Sequence, residues 1–146
     1  RVADGVSYSN SAISHYFGSV TLDNLKSYTL NDKIFDKVNN AWVVQNNGKL
    51  CIAYQTKENE YNARSFEDAF IHINRNFVNT NRNEFMGLKN RESFDVANTD
   101  AYDLAANCVK KKTYFAMDIL FHTNDKYDNW QIPSYIKEGL LWLKKD

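Results

Sequence analysis

The stretch RSFEDAFIHINRNFV, Arg64 to Val78, decides how the chain is read. Phe66, Phe70, Ile73 and Phe77 fall on one face of a helix, because their steps of four, three and four match its turn. Ser65 is a good N-cap, and Asp68 stands where a capping-box acid reaches back to the cap backbone. The predicted helix runs from Ser65 to Val78. Upstream, LCIAYQ (Leu50 to Gln55) is a mostly apolar run after the turn-like Asn46-Asn47-Gly48, and it reads as a strand. Trp42 to Gln45, before that turn, reads as its hairpin partner.

Working outward, Asn10 to Phe17 forms a helix stopped by Gly18, and a short one begins at Thr21 with Asp23 in its first turn. Thr99 caps a helix over Asp100 to Val109. The next, Lys112 to Phe121, is apolar at Tyr114, Met117, Leu120 and Phe121. Pro133 opens a last helix ending near Lys144, with Ile136, Leu140 and Leu143 on one face. Helix dominates, around at least one strand. Within Asn74 to Asn98, rich in Asn, Arg and Glu, residues 79–98 read as an exposed, mobile insertion in one domain spanning 1–146.

The 146 residues are one domain's worth of chain. Acidic and basic residues balance at 18 each, which argues against a protein that simply coats nucleic acid. Two cysteines, Cys51 and Cys108, without CxxC spacing make neither a disulfide framework nor a zinc module and point to a reducing cytoplasm. No apolar run approaches the ~18 residues of a membrane span. The chain opens at Arg1 rather than Met and reads as a fragment of something longer.

Common catalytic templates are missing: there is no G-x-S-x-G, P-loop, G-x-G-x-x-G or H-E-x-x-H. His15, His72 and His122 are scattered, and Cys51 reads as a small buried hydrophobe. Three polar clusters remain. In Arg64-Ser65-Phe66-Glu67-Asp68, two carboxylates stand in a helix's first turn, where hard oxygen ligands suit Mg²⁺. Acids there also stabilise the helix dipole, which is the plainer explanation, though Glu67 is not the capping-box position. In Lys110-Lys111-Lys112, a lysine at a helix start suits the charge developing on a phosphate, while the plain alternative is a solvated basic run. Cations there oppose the dipole, so the placement lacks a local stabilising reason. The third cluster, Ser9-Asn10, is an N-cap or a neighbour of a metal-bound water.

Ile52 to Phe70 (IAYQTKENEYNARSFEDAF), Lys110 to Phe121 (KKKTYFAMDILF) and Trp130 to Leu143 (WQIPSYIKEGLLWL) resemble, in this order, the C-terminal end of OLD-family ATP-dependent endonucleases, Gabija-type anti-phage nuclease subunits among them. Val2 to Phe17 is similar to the segment after that family's catalytic Asp-x-Asp strand. The resemblance covers most of the chain outside Asn74 to Asn98. It implies an α/β fold, the helix-rich C-terminal part of a Toprim domain with a Rossmann-like parallel sheet. It implies DNA cleavage with Mg²⁺ or Mn²⁺, in a parent protein whose ATPase domain binds ATP outside this chain. Carried over by position, Glu67 is the C-terminal metal-binding acid with Asp68 as its neighbour. Lys112 is the phosphate-contacting lysine with Lys111 next in line, and Ser9 belongs to the metal's surroundings; Arg64, from the first polar cluster, is a secondary candidate beside them. DNA, the ATPase domain, further copies of the protein and a helicase are the implied partners. The Asp-x-Asp pair and the first-strand glutamate are not in this chain, so by itself it holds part of an active site.

Two readings from different classes follow: a portion of a DNA endonuclease, and a non-enzymatic helical module for protein interaction or regulation. Under the first, Glu67 and Lys112 converge on one polar cleft, because both sit at helix starts.

Overall fold

Two asparagine-based turns organise the first part of the chain. In the computed structural model, which describes residues 10–144, Asn39 and Asn40 both adopt positive φ (49° and 65°). A two-residue turn of that kind matches the twist of an antiparallel hairpin, and it joins β1 (Ile34–Val38) to β2 (Ala41–Val44) in register from Phe35↔Val44 to Val38↔Ala41. Asn59 and Glu60 repeat the device (φ 48° and 62°) between β4 (Lys57–Glu58) and β5 (Tyr61–Asn62). β3 (Leu50–Cys51) pairs antiparallel with the other edge of β1, so the order is β2-β1-β3.

The fold is mixed α/β, but two expectations about its sheet are corrected. Every strand pair among the described residues is antiparallel, not parallel. Trp42 to Gln45 does not pair with the run after Asn46-Asn47-Gly48, because β1 lies between them. The expected strand over Leu50 to Gln55 is in the ladder only at Leu50–Cys51.

The chain divides into two compact units. The first contains the described residues up to Asn62 and again from Ser134. In it, α1 (Ser11–Phe17) and α2 (Leu22–Ser27) start on the side chains of Asn10 and Thr21, as their capping residues predict. Ile13, Leu22 and Leu25 are buried with Phe17, Val20, Tyr28, Ile52 and Tyr54 packed on them. α7 (Ser134–Leu143) belongs to this unit, and its Glu138 closes on the Lys33 ammonium at 2.9 Å. Leu140 and Leu143 of α7 stay exposed.

The second unit, Ala63–Pro133, is built on phenylalanine. Phe70 packs against Phe77, Phe115 and Trp130, and Phe85 packs against Phe77 and Phe115, with ring centres 5.5–6.1 Å apart. The helix expected over Ser65 to Val78 is two helices, α3 (Phe66–Ile73) and α4 (Arg75–Asn81). Asn74 breaks it, because its side-chain amide brackets the Gln131 backbone, accepting from N–H at 2.6 Å and donating to the carbonyl at 2.8 Å. α5 (Ala101–Cys108) is capped by Asp100 rather than Thr99, its carboxylate accepting from Tyr102 N–H at 2.7 Å.

Residues 79–98, read from composition as an exposed insertion, are exposed at most of their polar positions but sink Phe85, Leu88 and Phe94 into this core. The polar residues between those three anchors mask them. The inward face of α6 (Lys112–Phe121) is also not the expected one. Phe115, Asp118 and Ile119 are buried, while Tyr114, Met117, Leu120 and Phe121 are exposed, Phe121 by 77%. Both faces carry apolar residues. The Asp118 carboxylate decides between them, since it is needed inside to accept Gly87 N–H at 2.7 Å. No helix among the described residues is long and apolar enough to cross a membrane.

Candidate functional site

Two helix starts in the second unit meet at a cleft of about 390 Å³ lined by Arg64, Ser65, Glu67, Tyr102, Val109 and Lys112, among others. The first start is fixed by a complete capping box. Ser65 Oγ accepts from Asp68 N–H, and Asp68 Oδ1 accepts from Ser65 N–H at 2.7 Å and from its hydroxyl at 2.6 Å. Asp68 Oδ2 accepts from Arg64 N–H at 3.0 Å. Asp68 is buried, with both oxygens spent on the turn that holds its neighbours. Glu67, one residue earlier, keeps its carboxylate for the cleft.

The second start is held from behind. Gly87 carbonyl accepts from Lys110 N–H at 2.8 Å and from Lys111 N–H at 3.3 Å, and Leu88 bridges Val109. Gly87 lies so close to α6 that a Cβ there would run into the backbone nitrogen and Cα of Phe115. The absence of a side chain at Gly87 thus sets where α6 begins.

Lys112 and Glu67, 45 residues apart, meet at 3.1 Å between Nζ and Oε2. The two partners are differently placed: the Glu67 side chain is 9% exposed and that of Lys112 76%. Solvent screens the pair from the lysine side, which makes it weaker than a pair buried at both ends. Lys112 also sits at an N-terminus whose dipole disfavours a cation, and Lys111, the N-cap, makes no side-chain cap bond. The arrangement therefore does little for stability. It holds an ammonium at the mouth of a cleft, within reach of a ligand.

The remaining predicted site residues separate. Lys111 does not line the cleft; its ammonium lies 4.6 Å from the Tyr114 ring centre. Arg64 does line it, its guanidinium 3.2 Å from the centre of the Tyr102 ring. Ser9 falls outside the described residues. Tyr102 and Gly87 carry no signal in the sequence: one sits in an ordinary helix start, the other in a polar run.

A divalent ion takes several oxygen ligands. Asp68 has both oxygens engaged and Glu67 is paired with an ammonium. Among the described residues no group of three His, Cys, Asp or Glu comes together as a metal-holding set.

No family model matches the chain, and no solved structure matches it. The chain is similar to Endonuclease GajA of Bacillus cereus (strain HuB5-5), with 28% identity over 145 residues. That match covers 91% of this chain but only 21% of the relative's length. It supports a distant relationship to a nuclease.

Proposed function

We propose that this chain is the phosphate-handling part of a longer DNA endonuclease. The finer reading is an OLD-family Toprim nuclease, metal-dependent and working with an ATPase domain of the same protein in anti-phage defence. The observation that carries the proposal is the Glu67–Lys112 pair at 3.1 Å in an open cleft, with the lysine exposed and opposed by its own helix. The similarity to an endonuclease supports it at the level of reaction class.

In this reading Glu67 aims the Lys112 ammonium across the cleft. A phosphodiester entering there takes Lys112 away from Glu67, and the ammonium neutralises charge developing on a phosphate oxygen during cleavage. Asp68 acts one step back, through the capping box that fixes Glu67. Loss of a single donor to a developing oxyanion costs about 10²–10³ in rate. In the longer protein, Lys112→Ala should slow nicking of supercoiled plasmid by that order, and Glu67→Ala should also lower it. Wild-type nicking rates in both variants would overturn the assignment.

The exposed row Tyr114, Met117, Leu120 and Phe121 on α6 favours a second reading, a helical protein-interaction module. Under it, Phe121→Asp alters assembly in light scattering, and Lys112→Ala changes nothing.

A further inference from the structure

We infer that Arg64 is a second phosphate-contacting cation of the cleft, with Tyr102 as the residue that positions it; this rests on the nucleic-acid reading above. The described arginines make the contrast. Arg75 spends its guanidinium on the carbonyls of Thr99 and Val96, Arg82 on Asn79 and Asp95, and Arg91 on the Phe85 carbonyl. Each ties a loop of the second unit to its neighbours. Arg64 differs. Among the described residues, none accepts a hydrogen bond from its guanidinium and no carboxylate forms an ion pair with it. Its group is nevertheless fixed, stacked on Tyr102 with the guanidinium carbon 3.2 Å from the ring centre.

Both ends of that stack are anchored. Arg64 N–H donates to buried Asp68, so the arginine backbone belongs to the α3 cap. Tyr102 N–H donates to Asp100, which caps α5. The ring contacts the guanidinium at its central carbon, and no hydrogen bond among the described residues uses its N–H groups, which remain for another acceptor. A planar fork of donors matches two oxygens of one phosphate, and holding it in advance lowers the ordering cost of each bond. A lysine would provide a point charge without that geometry. Arg64 and Lys112 line the same cleft, so a nucleic-acid backbone lying in it meets a guanidinium set over the Tyr102 ring and an ammonium held by Glu67. The ligand is a phosphodiester chain, and the arginine adds affinity and register beside the lysine.

The test measures binding of a short fluorescein-labelled DNA duplex to the longer protein by anisotropy at several salt concentrations. Each phosphate contact adds about 0.9 to the slope of log K against log salt. Arg64→Gln should weaken binding roughly tenfold at moderate salt and reduce that slope by about one. Tyr102→Leu keeps the charge but frees the arginine, so affinity falls, whereas Tyr102→Phe, which retains the ring, restores it. A purely structural Tyr102 would instead show its loss in the melting temperature, with affinity per folded molecule unchanged. Unchanged affinity and slope in Arg64→Gln overturn the inference, even where Lys112→Ala abolishes nicking. Reduced affinity and slope in Arg64→Gln, with full nicking by Lys112→Ala, uphold the phosphate contact and overturn the catalytic reading alone.

Discussion

Among the described residues, each unit of this molecule contains one long-range lysine–glutamate pair, and the two are built in opposite senses. In the first unit Lys33 is the buried partner, 2% exposed, and Glu138 is 27% exposed at 2.9 Å. In the second, Glu67 is buried and Lys112 stands out in solvent. Lys33 is enclosed further by the Tyr54 ring, 4.9 Å away. A buried ammonium needs its counter-charge to remain in place, so the first pair is part of the fold. The second pair puts its cation in solvent, where another anion can reach the ammonium beside the Glu67 carboxylate, so it is suited to a ligand. The same two side-chain types form a buried tie in one unit and a solvent-facing pair in the other, and burial of the cation makes the difference.

Glu138→Ala offers the largest effect and the first way to break this contrast. It strands the Lys33 ammonium and should cost about 3 kcal/mol, read from urea unfolding. A loss near zero would show that the buried lysine does not depend on its partner. Gly87→Ala attacks the second pair from behind by pushing a methyl group into the start of α6. Overpacking of this kind costs about 1–3 kcal/mol. It should also weaken DNA binding by shifting Lys112, and an unchanged affinity would mean that Gly87 does not place the lysine.

The smallest effect sharpens the first pair. Burial, with Glu138 adding to it, pushes the Cys51 thiol above its ordinary value, while Lys33 pulls it down. The thiolate is the reactive form, so Cys51 should alkylate more slowly at pH 8 than a free thiol. Glu138→Gln removes a raising charge, lowers the thiol's pKa and should speed the reaction at Cys51, followed by site-resolved mass spectrometry. No acceleration would mean that Glu138 does not act on this group.

Much of the second unit's local structure was legible because capping is written within four residues: Ser65 and Asp68 announce the turn that presents Glu67. The sheet was less so. Asn39-Asn40 tolerates the positive φ of a tight hairpin, yet Asn46-Asn47-Gly48 is the louder turn signal, and nothing local says that both flanking strands seek β1. Helical period failed on α6, where Tyr114-Met117-Leu120-Phe121 and Phe115-Ile119 both repeat properly. The decision lies with Asp118 and a glycine 31 residues earlier. For the same reason Glu67 and Lys112 were each visible as residues at helix starts, whereas the Arg64–Tyr102 stack was not. A stack between residues of different helices exists only once the helices have packed.

The contrast between the two pairs is tested most directly by making Lys112→Ala in the longer protein and measuring thermal unfolding and plasmid nicking on the same preparation. The expected stability loss is smaller than that of Glu138→Ala, because Glu67 keeps a solvent contact that the more deeply buried Lys33 lacks. Under the proposed phosphate role of Lys112, the nicking rate falls by about 10²–10³. Wild-type nicking with an unfolding loss like that of Glu138→Ala would contradict it, placing Lys112 with the architecture rather than the chemistry.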